Sequence, residues 1–112
     1  MTQPRPGQIW FLDEPRLGDS EHGHYVLVTQ VLAAGAKVNI NFIATDPTAN
    51  DDFRIADDAD GFAATGLKHT CHLLRDRTYD IRTEQLAKGR YAGVLTGELQ
   101  AQIEEWWGEA FA

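Results

Sequence analysis

One stretch constrains the fold more than any other. From Lys37 to Thr45, the apolar residues Val38, Ile40, Phe42 and Ala44 alternate with Asn39, Asn41, Ile43 and Thr45. Successive side chains of a strand point to opposite faces, so period-two alternation reads as a β-strand with its first set on a core. Asn41 and Thr45 then share the opposite, more polar face. Thr45 lies at the strand end, where Asp46-Pro47-Thr48 turns the chain.

The flanking segments fit a sheet built around that strand. Gln8-Ile9-Trp10-Phe11-Leu12 is apolar on both faces and reads as a central strand. A polar loop from Asp13 to His24 separates it from a second strand, Tyr25 to Thr29, and Ala33 to Ala36 makes a tight connection. Phe53-Arg54-Ile55 is a short strand, and Asp57 to Gly61 is an acidic turn continued by Ala63 to Gly66. His69 to Leu74 and Thr78 to Arg82 read as strands joined by a turn around Arg75-Asp76-Arg77. Thr83 to Gly89 predicts one or two helical turns with Thr83 as N-cap, and Tyr91 to Leu95 a last strand. A final helix from about Gly97 to Phe111, capped by Thr96, carries a stripe of Leu99, Ile103, Trp107 and Ala110, widened by Trp106 and Phe111.

At 112 residues the expectation is one domain, 1–112, with one core. The N-terminal residues Met1 to Pro6 lack the apolar core of a secretory signal, and no run is long enough to span a membrane, which predicts a cytoplasmic protein without membrane association. The lone cysteine, Cys71, excludes an internal disulfide framework. A net charge of −7 argues against nonspecific nucleic-acid binding. The charge is segregated, however. Arg75, Arg77, Arg82, Lys88 and Arg90 crowd the third quarter, while Asp51 to Asp60 and Glu98 to Glu109 concentrate acid.

Among residues able to do chemistry, Asp58-Ala59-Asp60-Gly61 fails as a calcium loop. With Gly61 at loop position 6, the closing acid would fall on Leu67. His69 and Cys71 face away from His72 in a strand, so that run does not converge on a metal, and no metal or other cofactor is expected. The loop group Glu21, His22 and His24 suits acid–base chemistry better, because imidazole exchanges protons near neutrality. Glu21 would orient a histidine, and Arg16 would stabilise a phosphate anion.

Pro6-Gly7-Gln8-Ile9-Trp10, Leu12-Asp13, Pro15, Gly18 and Glu21 before a hydrophobic strand resemble the opening of the MazF/PemK toxins. The order continues through Thr45, Gly66-Leu67, Cys71 and Gly93-x-Leu95 ahead of a C-terminal helix. The resemblance implies a mainly β (α+β) SH3-like barrel of about five to seven strands, with a short helix near 83–88 and a C-terminal helix. It also implies a homodimeric toxin of a type II toxin–antitoxin pair, inhibited by a cognate antitoxin peptide. The activity implied is metal-independent cleavage of single-stranded RNA, with no DNA as partner, in which the ribose 2′-hydroxyl attacks the adjacent phosphate.

On that reading His24 is general acid or base, Glu21 its partner, Thr45 a transition-state donor and Arg16 an electrostatic substitute. Asn41, Tyr25 and Asp46 would hold RNA. The family's Arg-Pro pair opening the second strand is replaced here by His24-Tyr25, which removes a permanent fork-shaped cation. A catalytically degraded, protein-binding member of the fold is therefore the alternative. A further one is a gyrase poison resembling CcdB, suggested by Trp107-Gly108.

Overall fold

The alternating stretch forms strand β3, Lys37–Ala44, in a computed structural model that describes residues 3–12, 23–109 and 111. The other strands are β1 (Gln8–Leu12), β2 (His24–Leu32), β4 (Phe53–Ile55), β5 (Cys71–Arg82) and β6 (Arg90–Val94). They build one sheet in the order β4-β5-β3-β2-β1-β6, every neighbouring pair antiparallel. Helix α1 spans Thr83–Ala87 and helix α2 Gly97–Trp107. The fold is thus mainly β, a small half-barrel with a short helix and a C-terminal one, as expected. Among the described residues no helix is long and apolar enough to cross a membrane.

Three breaks in register curl the sheet, because an extra residue bends its strand and increases the local twist. Thr29 is the extra residue of β2, between the pairs Val28–Ile40 and Gln30–Asn39, and its hydroxyl donates to the Asn39 carbonyl. Ala92 plays that part on β6, opposite the Ile9–Trp10 step. The largest break is on β5: Thr78 pairs with Asn41 and Leu73 with Ile43, so residues 74–77 bulge out opposite Phe42 alone. The sequence reading of two strands and a turn here becomes one long strand with an excursion.

Both faces of the sheet are covered, which explains why β1 is apolar on both sides. Trp10, Val26, Val28, Ile40 and Phe42 converge on one face, closed by Leu86 of α1. Ile9, Leu27, Ile43 and Leu73 converge on the other, beneath Leu99 and Ile103 of α2. Leu67, from the connection between β4 and β5, seals that second layer. The end of this connection packs on β6 through Gly66 and Gly93. A Cβ at Gly93 would meet the Ala64 and Thr65 backbone, and one at Gly66 the Ala92 carbonyl. These two glycines, noted above in the family pattern, are where two backbones need close approach.

That second layer corrects the reading of Asn41. Its side chain is fully buried, not on a solvated face. The amide nitrogen donates to the carbonyls of Leu74 (2.9 Å) and Arg75 (3.3 Å) and to the Thr78 hydroxyl (2.8 Å). Asn41 thereby satisfies the backbone of the β5 excursion and has no surface to offer RNA.

The excursion in turn fixes α2. Arg75 reaches the Trp106 carbonyl, pairs with Asp51 at 3.2 Å and lies over the Trp106 ring, 4.1 Å from its centroid. The Trp106 indole donates to the Asp51 carbonyl, and Asp52 accepts from the backbone of Thr48, Ala49 and Arg75. At the other end of the helix, the Asp60 carboxylate accepts from Glu98 N–H and the Asp60 carbonyl from Leu99 N–H. The acidic turn is therefore the cap of α2, and the Thr96 side chain makes no capping bond. Likewise Thr83 does not cap α1. Its hydroxyl donates to the Gly35 carbonyl, and the Gln85 side chain satisfies the Arg82 N–H at the helix start. Of the expected apolar stripe, Leu99 and Ile103 are fully buried, Trp107 is partly so, and Ala110 lies outside the described residues.

Replacing Asn41 by Ala leaves buried carbonyls without donors, so equilibrium urea unfolding should show a loss of about 3 kcal/mol. For Asp52, burial pulls the carboxyl up, but hydrogen bonds from Thr48, Arg75 and Ala49 outweigh it and hold it below its ordinary 3.8. A lowered folded-state value means the ionised carboxylate favours the native state above about pH 4, and that this is lost as pH falls through the folded value. The stability gap between wild type and Asp52→Asn should accordingly be widest near neutrality and narrow steadily below pH 4 in pH-dependent unfolding.

Candidate functional site

The site begins where β3 ends. Tyr25 on β2 stands opposite Ile43, and beyond it Ala44 ends β3 and is followed by Thr45 and Asp46, both exposed. Beside them β5 opens at Cys71, and His72 pairs with Ala44. The His72 Nδ1 lies 3.0 Å from the Thr45 carbonyl and holds the end of β3 in place. Just before Cys71 the chain bends through Lys68, His69 and Thr70. That bend is braced on both sides. Leu67 N–H donates to the Thr65 hydroxyl (3.1 Å), and the Thr70 hydroxyl accepts from Asp57 N–H (3.0 Å).

These elements enclose a cleft of about 150 Å³. Its buried floor is Ile43, Leu67 and Cys71, with Ala44 beside them, and its more open rim is Tyr25, Thr45, Lys68 and His69. The Tyr25 ring is set by an edge-on contact with Phe11 at 5.0 Å. A rim with two hydroxyls, an ammonium and an imidazole can bind an anion and move a proton. The floor carries no such chemistry: burial pushes the Cys71 thiol up to about 11, which keeps it protonated at neutral pH.

Two of the expected site residues, Tyr25 and Thr45, therefore share one cleft. Asp46 is exposed next along the chain but does not line it, and Asn41 is buried in the core. His24 is the first residue of β2, and neighbouring side chains on a strand face opposite sides. Its ring stacks on Phe42, with centroids 4.6 Å apart and 18° between planes, on the face closed by α1. Tyr25 packs on the other face. The expected convergence of His24 with Thr45 is thus corrected, because the sheet lies between them. Glu21 and Arg16 lie outside the described residues.

Lys68 and His69 are the site residues that sequence reasoning missed. Starting the strand at His69 made that residue part of a ladder. In the structure the strand starts two positions later, and the freed bend turns toward Thr45. A larger hollow of about 550 Å³ lies elsewhere, between Trp10, Tyr91, Pro4 and Ala87. Its titratable side chain besides Tyr91 is Glu84, paired with Arg82 at 3.2 Å, so it offers little for chemistry. No protein-family model matches the chain, and no curated protein does.

Because a thiolate is the reactive form, the raised Cys71 value predicts slow modification. Ellman's reagent at pH 7.5 should label native protein at least ~10-fold more slowly than protein unfolded in guanidinium.

Proposed function

We propose that this chain is a MazF/PemK-like toxin that holds single-stranded RNA across the Tyr25–Thr45 cleft and cleaves it by 2′-hydroxyl attack on the adjacent phosphate. The observation that carries this reading is the rim itself. On a chain of net charge −7, it places an ammonium and an imidazole beside the threonine that the family resemblance picks out. Such a cleft meets the needs of the reaction: donors for the charged phosphorane and a group that takes the 2′-hydroxyl proton. Tyr25 is positioned to pack against a ribose or base, and aromatic platforms are the usual seat for unstacked bases. We place the protein in the cytoplasm, as a homodimer inhibited by an antitoxin peptide that covers the cleft, and we assign the reaction no metal or organic cofactor.

A second reading has one observation in its favour. His24, one of the two residues standing where the family has its Arg-Pro pair, is packed flat against Phe42 and away from the cleft. A member of the fold that binds a partner peptide or protein, such as an antitoxin, and has lost cleavage would tolerate that. The Trp107-Gly108 pair that suggested a gyrase poison ends α2, with Gly108 as the left-handed C-cap and Trp107 against Trp106.

Long single-stranded RNA incubated with antitoxin-free protein in EDTA should yield fragments with 5′-hydroxyl and cyclic-phosphate ends. Intact RNA at every protein concentration overturns cleavage. Tight binding of an antitoxin peptide with the RNA left intact selects the non-catalytic reading.

A further inference from the structure

We infer that His69 is the proton-transferring residue of the cleft and Lys68 its phosphate-binding cation, roles that rest on the RNA-cleaving reading above. The assignment follows from where the other candidates lie. Of the histidines among the described residues, His24 faces the α1-closed side and His72 is engaged with the Thr45 carbonyl. His69 is an exposed residue and lines the cleft. Of the arginines that crowd the third quarter, Arg77 is exposed on the β5 excursion and does not line the cleft, and the other three are engaged elsewhere. Arg75 is held by Asp51 and Trp106, Arg82 by Glu84, and Arg90 lies over Phe11. Lys68 lines the cleft beside Thr45.

Position is fixed as well as identity. Lys68 and His69 sit between Leu67, whose N–H is tied to Thr65, and Thr70, whose hydroxyl is tied to Asp57. Leu67 and the Cys71 that follows Thr70 are both buried. The two side chains therefore leave a braced segment, which is what a proton-transfer or phosphate-binding group requires for its geometry to persist. The cleft, at about 150 Å³, is of a size for one ribose-phosphate unit rather than a whole base-paired helix, in keeping with a single strand.

The chemistry then runs as one displacement. The neutral His69 imidazole accepts the proton of the 2′-hydroxyl as O2′ bonds to phosphorus. The phosphorus–O5′ bond breaks, and O5′ takes a proton from solvent water at the open mouth of the cleft. The products are a 2′,3′-cyclic phosphate and a 5′-hydroxyl. His69 returns its proton to solvent. Lys68 and the Thr45 hydroxyl donate to the non-bridging oxygens, where negative charge grows in the transition state.

Two measurements on the full chain separate these roles: single-turnover cleavage of an RNA, and binding of the same RNA with every 2′-hydroxyl methylated. His69→Ala should slow cleavage at least ~100-fold and leave the Kd for methylated RNA within about threefold, as expected for loss of a general base. Lys68→Met should weaken methylated-RNA binding and lower the slope of log Kd against log[KCl] by about 0.7, the value for one phosphate contact on a single strand. Cleavage by His69→Ala at the wild-type rate overturns the catalytic assignment while the RNA-cleaving reading stands. So does loss of cleavage in His24→Ala with His69→Ala unaffected. An unchanged Kd and salt slope in Lys68→Met overturns the phosphate assignment. Wild-type protein that neither cleaves nor binds the RNA removes the reading and this inference together. Binding of methylated RNA by each variant also shows that it is folded.

Discussion

One buried side chain links the sheet, the helix and the cleft. The two amide N–H groups of Asn41 are shared among three acceptors on the stretch of β5 where the register breaks. Buried carbonyls without donors are costly, so a strand interior tolerates an excursion of this size only where something satisfies it. Because the excursion exists, the two halves of β5 meet β3 in different registers. The first half pairs with β4 as well and brings Cys71 and His72 level with the end of β3. The excursion also throws Arg75 across to Asp51 and Trp106, which anchors α2 over the second layer. The layer under α2 carries the floor of the cleft, through Ile43, Leu67 and Cys71. A change at Asn41 is therefore felt at the site without touching it.

The same geometry explains how a chain of net charge −7 presents a local cationic rim. The arginine-rich third quarter reads as a basic face when charges are counted along the sequence. In space Arg75 pairs with Asp51 and packs over Trp106, Arg82 pairs with Glu84, and Arg90 packs over Phe11. A guanidinium stacked on an aromatic ring makes a good structural clamp because its planar cation is weakly hydrated. Among the described residues, the cleft keeps a single lysine and a histidine, too little positive charge to hold a duplex by charge alone.

Much of the fold was legible because strands announce themselves locally. β1, β3 and β4 lie within a residue of where alternation and apolar runs placed them, and β2 extends the expected strand at both ends. What was not legible has a common cause: the deciding partner is distant in sequence. Period-two alternation puts Asn41 on a polar face, and it cannot reveal that α2 and the β4–β5 connection cover that face. Thr83 and Thr96 have the composition of N-caps, yet Gln85 satisfies the start of α1 and Asp60 caps α2. The site follows the same rule. Thr45 and Tyr25 could be named from a strand end and a family pattern, whereas Lys68 and His69 join them only through the register of β5.

The pair His24-Tyr25 shows why a one-residue offset matters in a sheet. On a strand, adjacent side chains serve different faces, and a register slip exchanges them. Here Tyr25 belongs to the face that carries Thr45, and His24 to the face closed by α1. If the family's arginine occupies the position of His24, it is replaced by a ring that packs. If it occupies that of Tyr25, it is replaced by an aromatic hydroxyl that remains in the cleft without a charge. On the MazF/PemK reading proposed above, β2 then carries no arginine or lysine in place of the family's cation. Positive charge enters the cleft from the bend before β5 instead, on a segment braced by Thr65 and Asp57. Chemistry in this chain would thus depend on a different edge of the same sheet.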